Sequence, residues 1–143
     1  MGQSTNAILA FGFDLGEPSE ELLKAFGTDP DNDSSIDFEQ WIETQAGLVY
    51  PAGGTDKAYR AYRKARDAAA AACPVDLITH CSGDYPMYFL AVRGTEMTAH
   101  RGDPTAVTIE AVAPEKIQAM RELCEKHGIE WKEPGWHIFS MWL

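Results

Sequence analysis

The chain is short of basic residues, of cysteine and of long apolar runs, and each shortage closes off a class of function. Twelve Lys and Arg stand against 22 Asp and Glu, for a net charge of −10. Direct binding to nucleic acid or to an anionic membrane is therefore not expected, because the excess carboxylates repel phosphate. Cysteine is limited to Cys73, Cys81 and Cys124. They form no CxxC pair, and any disulfide leaves one over, which is the usage of a reducing cytosol. The apolar run at 7–13 runs straight into Asp14 and has no basic segment before it, so it reads as neither a signal peptide nor a membrane span. Met1-Gly2 opens like a myristoylation site, but Asn6 stands where Ser or Thr is needed. Walker, GxGxxG, GxSxG and HExxH patterns are all missing, so no cofactor is implied and a non-enzymatic protein is the expectation.

What is present suits one folded domain spanning 1–143: 45% hydrophobic residues, 10% aromatic and a length that one core can serve. The charge is regional. Residues 1–56 hold eleven acids and one base, Lys24, whereas 57–143 hold eleven of each. The entire −10 thus belongs to the first 56 residues.

Hydrophobic periodicity divides the chain further. A buried strand is expected at 7–13, stopped by Gly16. A short helix opens at Pro18 or Ser19, buries Leu22, Leu23 and Phe26, and ends at Gly27. Ser34 or Ser35 can cap a second helix with Asp37 and Glu39 in its first turn and Phe38, Trp41 and Ile42 on one face. Gly47 and the Pro51-Ala-Gly-Gly54 stretch break the chain. A third helix follows from Thr55 or Asp56 to Cys73, where Pro74 stops it. Lys57, Arg60, Arg63, Lys64 and Arg66 give it a basic surface that can lie against the acidic region or face a partner.

Beyond Pro74 the period changes from 3.6 to 2. Strands are expected at 75–81, 87–93, 96–101 and 106–112, then a helix from Pro114 to Gly128 and a last strand at 136–142. This is an α+β fold, with a mostly antiparallel sheet of four or five strands packed by about four helices and the main β-rich part at 75–143.

Three groups of residues are candidate sites. Asp29, Asp31, Asp33 and Asp37 match positions 1, 3, 5 and 9 of a calcium loop, where several hard oxygens surround the ion. Ser34 departs from the glycine at position 6 and Gln40 from the bidentate Glu at position 12; an acidic loop leading into a helix cap explains the same residues. His80, Cys81, His100 and His137 raise zinc or Cys–His chemistry. Yet neighbours on a strand point to opposite faces, so His80 and Cys81 make no dyad. The stretch Ser82-Gly-Asp84-Tyr85-Pro86 is a rigid turn that can present Ser82, Asp84 and Tyr85, with a cis bond possible before Pro86. Arg93 and Arg101 each precede a turn glycine and can pair with an anion.

Four segments carry a resemblance. Gly12-Phe-Asp-Leu-Gly16, the run His80-Cys-Ser-Gly-Asp-Tyr-Pro-Met-Tyr88, Arg101-Gly-Asp103 and Pro134-Gly-Trp-His-Ile-Phe-Ser-Met-Trp142 are together similar to small proteins of actinobacterial phages and prophages, in the same order along nearly the whole chain. Met141-Trp142-Leu143 departs from the more usual Tyr-Trp-Gly ending. The resemblance implies a phage accessory protein of the bacterial cytoplasm and transfers no biochemical activity. It favours Asp14, Ser82, Asp84, Tyr85, Arg101 and Trp136 as one ligand-binding surface, if sheet pairing brings their segments together. The leading expectation is a binding protein that modulates a host or defence component through its acidic surface. A binder or enzyme for a small anionic ligand or nucleotide at 82–85 and Arg101 is the alternative, and a mimic of nucleic-acid charge a third. The oligomeric state is not set by the sequence.

Overall fold

The structure is a computed structural model that describes residues 4–142. Its elements run β1 (Thr5–Gly16), α1 (Glu20–Ala25), α2 (Phe38–Gln45), α3 (Asp56–Ala72), β2 (Val75–Ser82), β3 (Pro86–Val92), β4 (Met97–Ala99), α4 (Pro114–His127) and β5 (Gly135–Trp142). The α+β expectation holds: four helices and a five-stranded mixed sheet make a single compact domain among the described residues.

The helices begin and end where side-chain chemistry puts them. Ser19 Oγ accepts the Leu22 N–H of α1 at 3.1 Å and Thr55 Oγ1 the Ala58 N–H of α3 at 3.2 Å, each satisfying an amide that the first turn leaves without a partner. Pro114 opens α4, and Gly128 closes it at φ 72°, a left-handed conformation that favours glycine. For α2 the cap is Asp37, whose carboxylate accepts from Gln40 N at 3.1 Å, rather than Ser34 or Ser35. Asp37 is also the residue three before Gln40, so the helix starts later than expected.

The sheet order is β3-β2-β5-β1-β4, and β3 also pairs with β1. On one side β1 pairs with β5, from Thr5 opposite Trp142 to Gly12 opposite Gly135. Further pairings of β1 are to β4 at 7–9 and to β3 at 12–16. The circuit β1–β3–β2–β5–β1 contains three antiparallel contacts and one parallel contact, the latter at Cys81–Met141 and Ser82–Trp142. Straight strands cannot close such a ring, because an odd number of reversals does not return a strand to its own direction. The strands must therefore coil, an extreme of the twist that sheets ordinarily carry. Gly12 permits the crossing: a Cβ there would collide with the Leu90 carbonyl oxygen and lie 2.8 Å from Ala91 Cα.

Coiling gives the sheet two cores. Phe13, Tyr88, Leu90, Val92 and Val75 face Leu22, Phe26, Trp41, Ile42, Met120 and Cys124 of the helices and Ile129 just beyond α4. The inner face of the coil buries Ile8, Ala10, Ile78, Phe89 and Ala91 beneath Phe139 and Met141. Hence 88–92 of β3 is buried on both faces, which explains its unbroken apolar run.

Two strand expectations need correction. Residues 106–112 form no strand: they are exposed or half-buried and lie in no sheet. Both sides of β1 are already taken, and after the His100–Asp103 turn, closed by Asp103 N to His100 O at 3.0 Å, the chain lines a cavity with Met97 and Trp136 without joining the sheet. For the same reason β4 is only three residues long. Among the described residues no peptide bond is cis, so the bond before Pro86 is trans. No helix among them is long and apolar enough to cross a membrane.

Candidate functional site

The motif residues converge on the coil. Asp14 projects from β1 to place Oδ1 3.0 Å from His80 Nε2, and the same oxygen accepts the Gly16 N–H at 3.1 Å, where the strand bulges. Lys132 Nζ donates to the Asp14 carbonyl at 3.2 Å. The His80 ring lies against Phe139, with centroids 5.0 Å apart, and Phe139 stacks on Phe89 at 4.6 Å. His137 lies against the edge of Phe89 and has Nδ1 2.9 Å from the Gly135 carbonyl. An Asp–His pair can orient an imidazole and hold a proton. Catalysis would also need a nucleophile at the ring. Cys81, exposed and at φ 71°, points to the other face of β2.

Of the residues expected to share one surface, the structure brings only some together. Ser82 Oγ accepts Tyr85 N at 3.1 Å, closing the turn on itself. Cys81, Asp84 and Tyr85 then line a cavity of about 340 Å³ with Glu17, Pro18 and Ser34. Its charged residues are two carboxylates, Glu17 and Asp84, and no base, so its chemistry disfavours an anion. Trp136 lies elsewhere, edge-on to Phe11 at 5.5 Å and lining a different cavity with Arg93. Arg93 is itself paired with Asp76 at 3.2 Å. Arg101 sits in the turn after β4 and lines neither cavity.

Two carboxylates of the acidic loop bond locally. Asp29 Oδ1 accepts Asp31 N at 3.0 Å, Asp29 Oδ2 accepts the Asn32 side-chain amide, and Asp37 caps α2. Among the described residues no three His, Cys, Asp or Glu side chains are grouped so as to hold a metal ion. Calcium coordination needs several convergent oxygens, and Asp29 and Asp37 are engaged instead in the turn and the cap. The loop is nonetheless anchored: Tyr88, buried in β3, accepts the Ile36 N–H on its hydroxyl at 2.8 Å.

The outward charge is better defined. Glu17, Glu20, Glu21, Asp29, Asp31, Asp33, Asp37 and Glu39 are all exposed, and among the described residues their one ion pair is Lys24–Glu20 at 3.1 Å. Helix α3 does not neutralise them. Arg66 lies 4.0 Å from Glu43, which also accepts from the Tyr62 hydroxyl, while Lys57, Arg60, Arg63 and Lys64 point to solvent.

A cavity of about 500 Å³ was not visible in the sequence. It lies between α2, α3 and α4, with Trp41, Ala69, Cys73 and Leu123 as floor and Glu122, Lys126 and His127 at the rim. Burial against Trp41, and then Lys126, lower the His127 pKa, and burial raises the Cys73 thiol. Its only sequence signal is the alanine-rich inner side of α3. Comparison of the chain with protein-family models, with curated proteins and with solved structures finds no match.

Proposed function

We propose that the chain is a non-enzymatic accessory protein, phage-encoded in keeping with the motif resemblance, that binds and modulates a basic host or defence protein in the bacterial cytoplasm. The observation that carries this reading is the set of eight exposed carboxylates between Glu17 and Glu39, of which one is paired with a base among the described residues. Carboxylates held on an anchored loop and two helix starts are pre-arranged, so a basic surface docks without first ordering them. Polar residues of the motifs are engaged within the fold: Asp14 by His80 and Gly16, Ser82 by its own turn, Tyr88 by Ile36.

The test pairs capture with reconstitution. A partner recovered by the wild-type chain is purified, and its affinity is measured against wild type and an Asp31→Asn/Asp33→Asn/Glu39→Gln variant over a salt series. The expected result is a basic partner whose Kd weakens with salt and at least ten-fold in the variant, about 1.4 kcal/mol. An affinity indifferent to both salt and the substitutions overturns the reading. If the captured partner is a DNA-binding protein that the chain strips from DNA, the same surface is acting as a mimic of nucleic-acid charge.

A further inference from the structure

The cavity beside the 82–85 turn has a lining that selects for one chemistry. Three segments build it: Glu17 and Pro18 follow β1, Ser34 comes from the acidic loop, and Asp84 to Met87 lead the turn into β3. Each is fixed by its own anchor. Ser82 Oγ accepts Tyr85 N at 3.1 Å, Cys81 pairs with Pro86 across the hairpin, Ser19 caps α1 directly after Pro18, and Tyr88 holds Ile36 two residues beyond Ser34. Glu17 and Asp84 thus line the same space of about 340 Å³. Among the described residues neither has an ion pair. Pro18, Pro86 and Met87 give the cavity apolar walls, and Tyr85 is 78% exposed, so its ring is open to a further contact.

We propose that this cavity receives one arginine side chain of the basic partner; the inference rests on the reading that the acidic surface binds such a partner, and gives that surface its anchor point. Charge sets the sign, since two carboxylates with no base beside them favour a cation. The walls set the shape. A basic side chain lays its methylenes along apolar surface while its head stays on polar groups, and two prolines and a methionine beside two carboxylates offer both. Arginine rather than lysine follows from geometry. Glu17 and Asp84 come from different segments, and a guanidinium carries five N–H donors in a planar fork that reaches more than one acceptor, whereas an ammonium is a compact, strongly hydrated point charge. The guanidinium plane also stacks on a tyrosine ring. A methylated ammonium calls for a cage of several rings, and Tyr85 is the one aromatic residue lining this cavity among the described residues. Glu17 belongs to the exposed carboxylates of 17–39 as well, so cavity and docking surface are continuous. One deeply seated arginine ringed by weaker contacts is the ordinary form of a binding hot spot.

The probe is Nα-acetyl-arginine amide, with its lysine counterpart and its neutral citrulline counterpart as controls, titrated into the isotope-labelled full chain at constant ionic strength. Saturable amide shifts are expected at Glu17, Asp84, Tyr85 and Met87 with a Kd in the millimolar range, weaker binding of lysine and none of citrulline. Glu17→Gln/Asp84→Asn replaces exposed residues and should keep the circular dichroism of the wild type while weakening the arginine probe by roughly five-fold or more. Asp31→Asn/Asp33→Asn/Glu39→Gln should leave it within about two-fold, because these carboxylates lie outside the cavity. The proposal is overturned by no saturable shift at those four residues, by lysine or citrulline binding as tightly, or by a Kd unmoved in Glu17→Gln/Asp84→Asn. All of these are read without the host partner, so they leave the wider reading to its own test. A captured partner whose affinity falls in the Asp31→Asn/Asp33→Asn/Glu39→Gln variant but not in Glu17→Gln/Asp84→Asn upholds the acidic surface and removes the cavity from it.

Discussion

Gly12 lies where β5 and β3 press on β1 from opposite sides, paired to Gly135 on one and Ala91 on the other. No side chain fits between β1 and the Leu90 carbonyl, so even Gly12→Ala forces the strands apart. The expected cost is about 3 kcal/mol, at the upper end of ordinary overpacking, read as a lower urea midpoint with an unchanged slope. Gly16→Ala is the control: its φ of +71° strains an alanine, but the space around it is open, and roughly 1 kcal/mol is expected. His127 makes a second residue-scale prediction. Its folded pKa lies below the ordinary 6.5 because burial beside Trp41 disfavours the imidazolium. The unfolded chain then binds the proton first, so stability falls as pH drops below about 6.5 and stops responding to this group below the folded pKa. In His127→Gln the stability curve between pH 7 and 5.5 should be flatter than in wild type; an identical slope would contradict the assignment.

At the scale of elements, the caps divide what sequence reveals from what it does not. Ser19, Thr55 and Pro114 open helices where propensity places them, because a cap acts on amides two or three residues away. Helix α2 is capped three residues after Ser34 because Asp37 captures Gln40 N. Asp37→Ala should therefore cost about 1 kcal/mol, while Ser34→Ala and Ser35→Ala stay within a few tenths, all measurable by thermal melts. The 106–112 segment shows the opposite case. Its alternating Val107, Ile109 and Thr108 carry strand propensity, but a strand exists only with a neighbour, and β1 offers no free side. Its state is decided by what lies beside it.

Over the whole molecule, stability is unevenly spread. Ala10 in one core and Val75, Leu90 and Val92 in the other are fully or almost fully buried, whereas α3 buries none of its 17 residues. Native-state hydrogen exchange should find the slowest amides in β1 and β3, with α3 faster by roughly ten-fold or more. A uniform rate would mean that α3 opens only with the whole domain. The same unevenness separates the surfaces, with carboxylates at 17–39 and bases on α3.

The sequence by itself determined the α+β class, the helices, the β2–β3 hairpin and the confinement of negative charge to the first 56 residues, since each follows from local periodicity, capping or counting. Tertiary structure alone decided the rest. It set Asp14 against His80 across 66 positions, parted Arg101 and Trp136 from the 82–85 turn and opened a groove between three helices. These depend on how a coiled sheet brings distant strands together, and long-range pairing is governed by neighbours that no stretch of sequence contains.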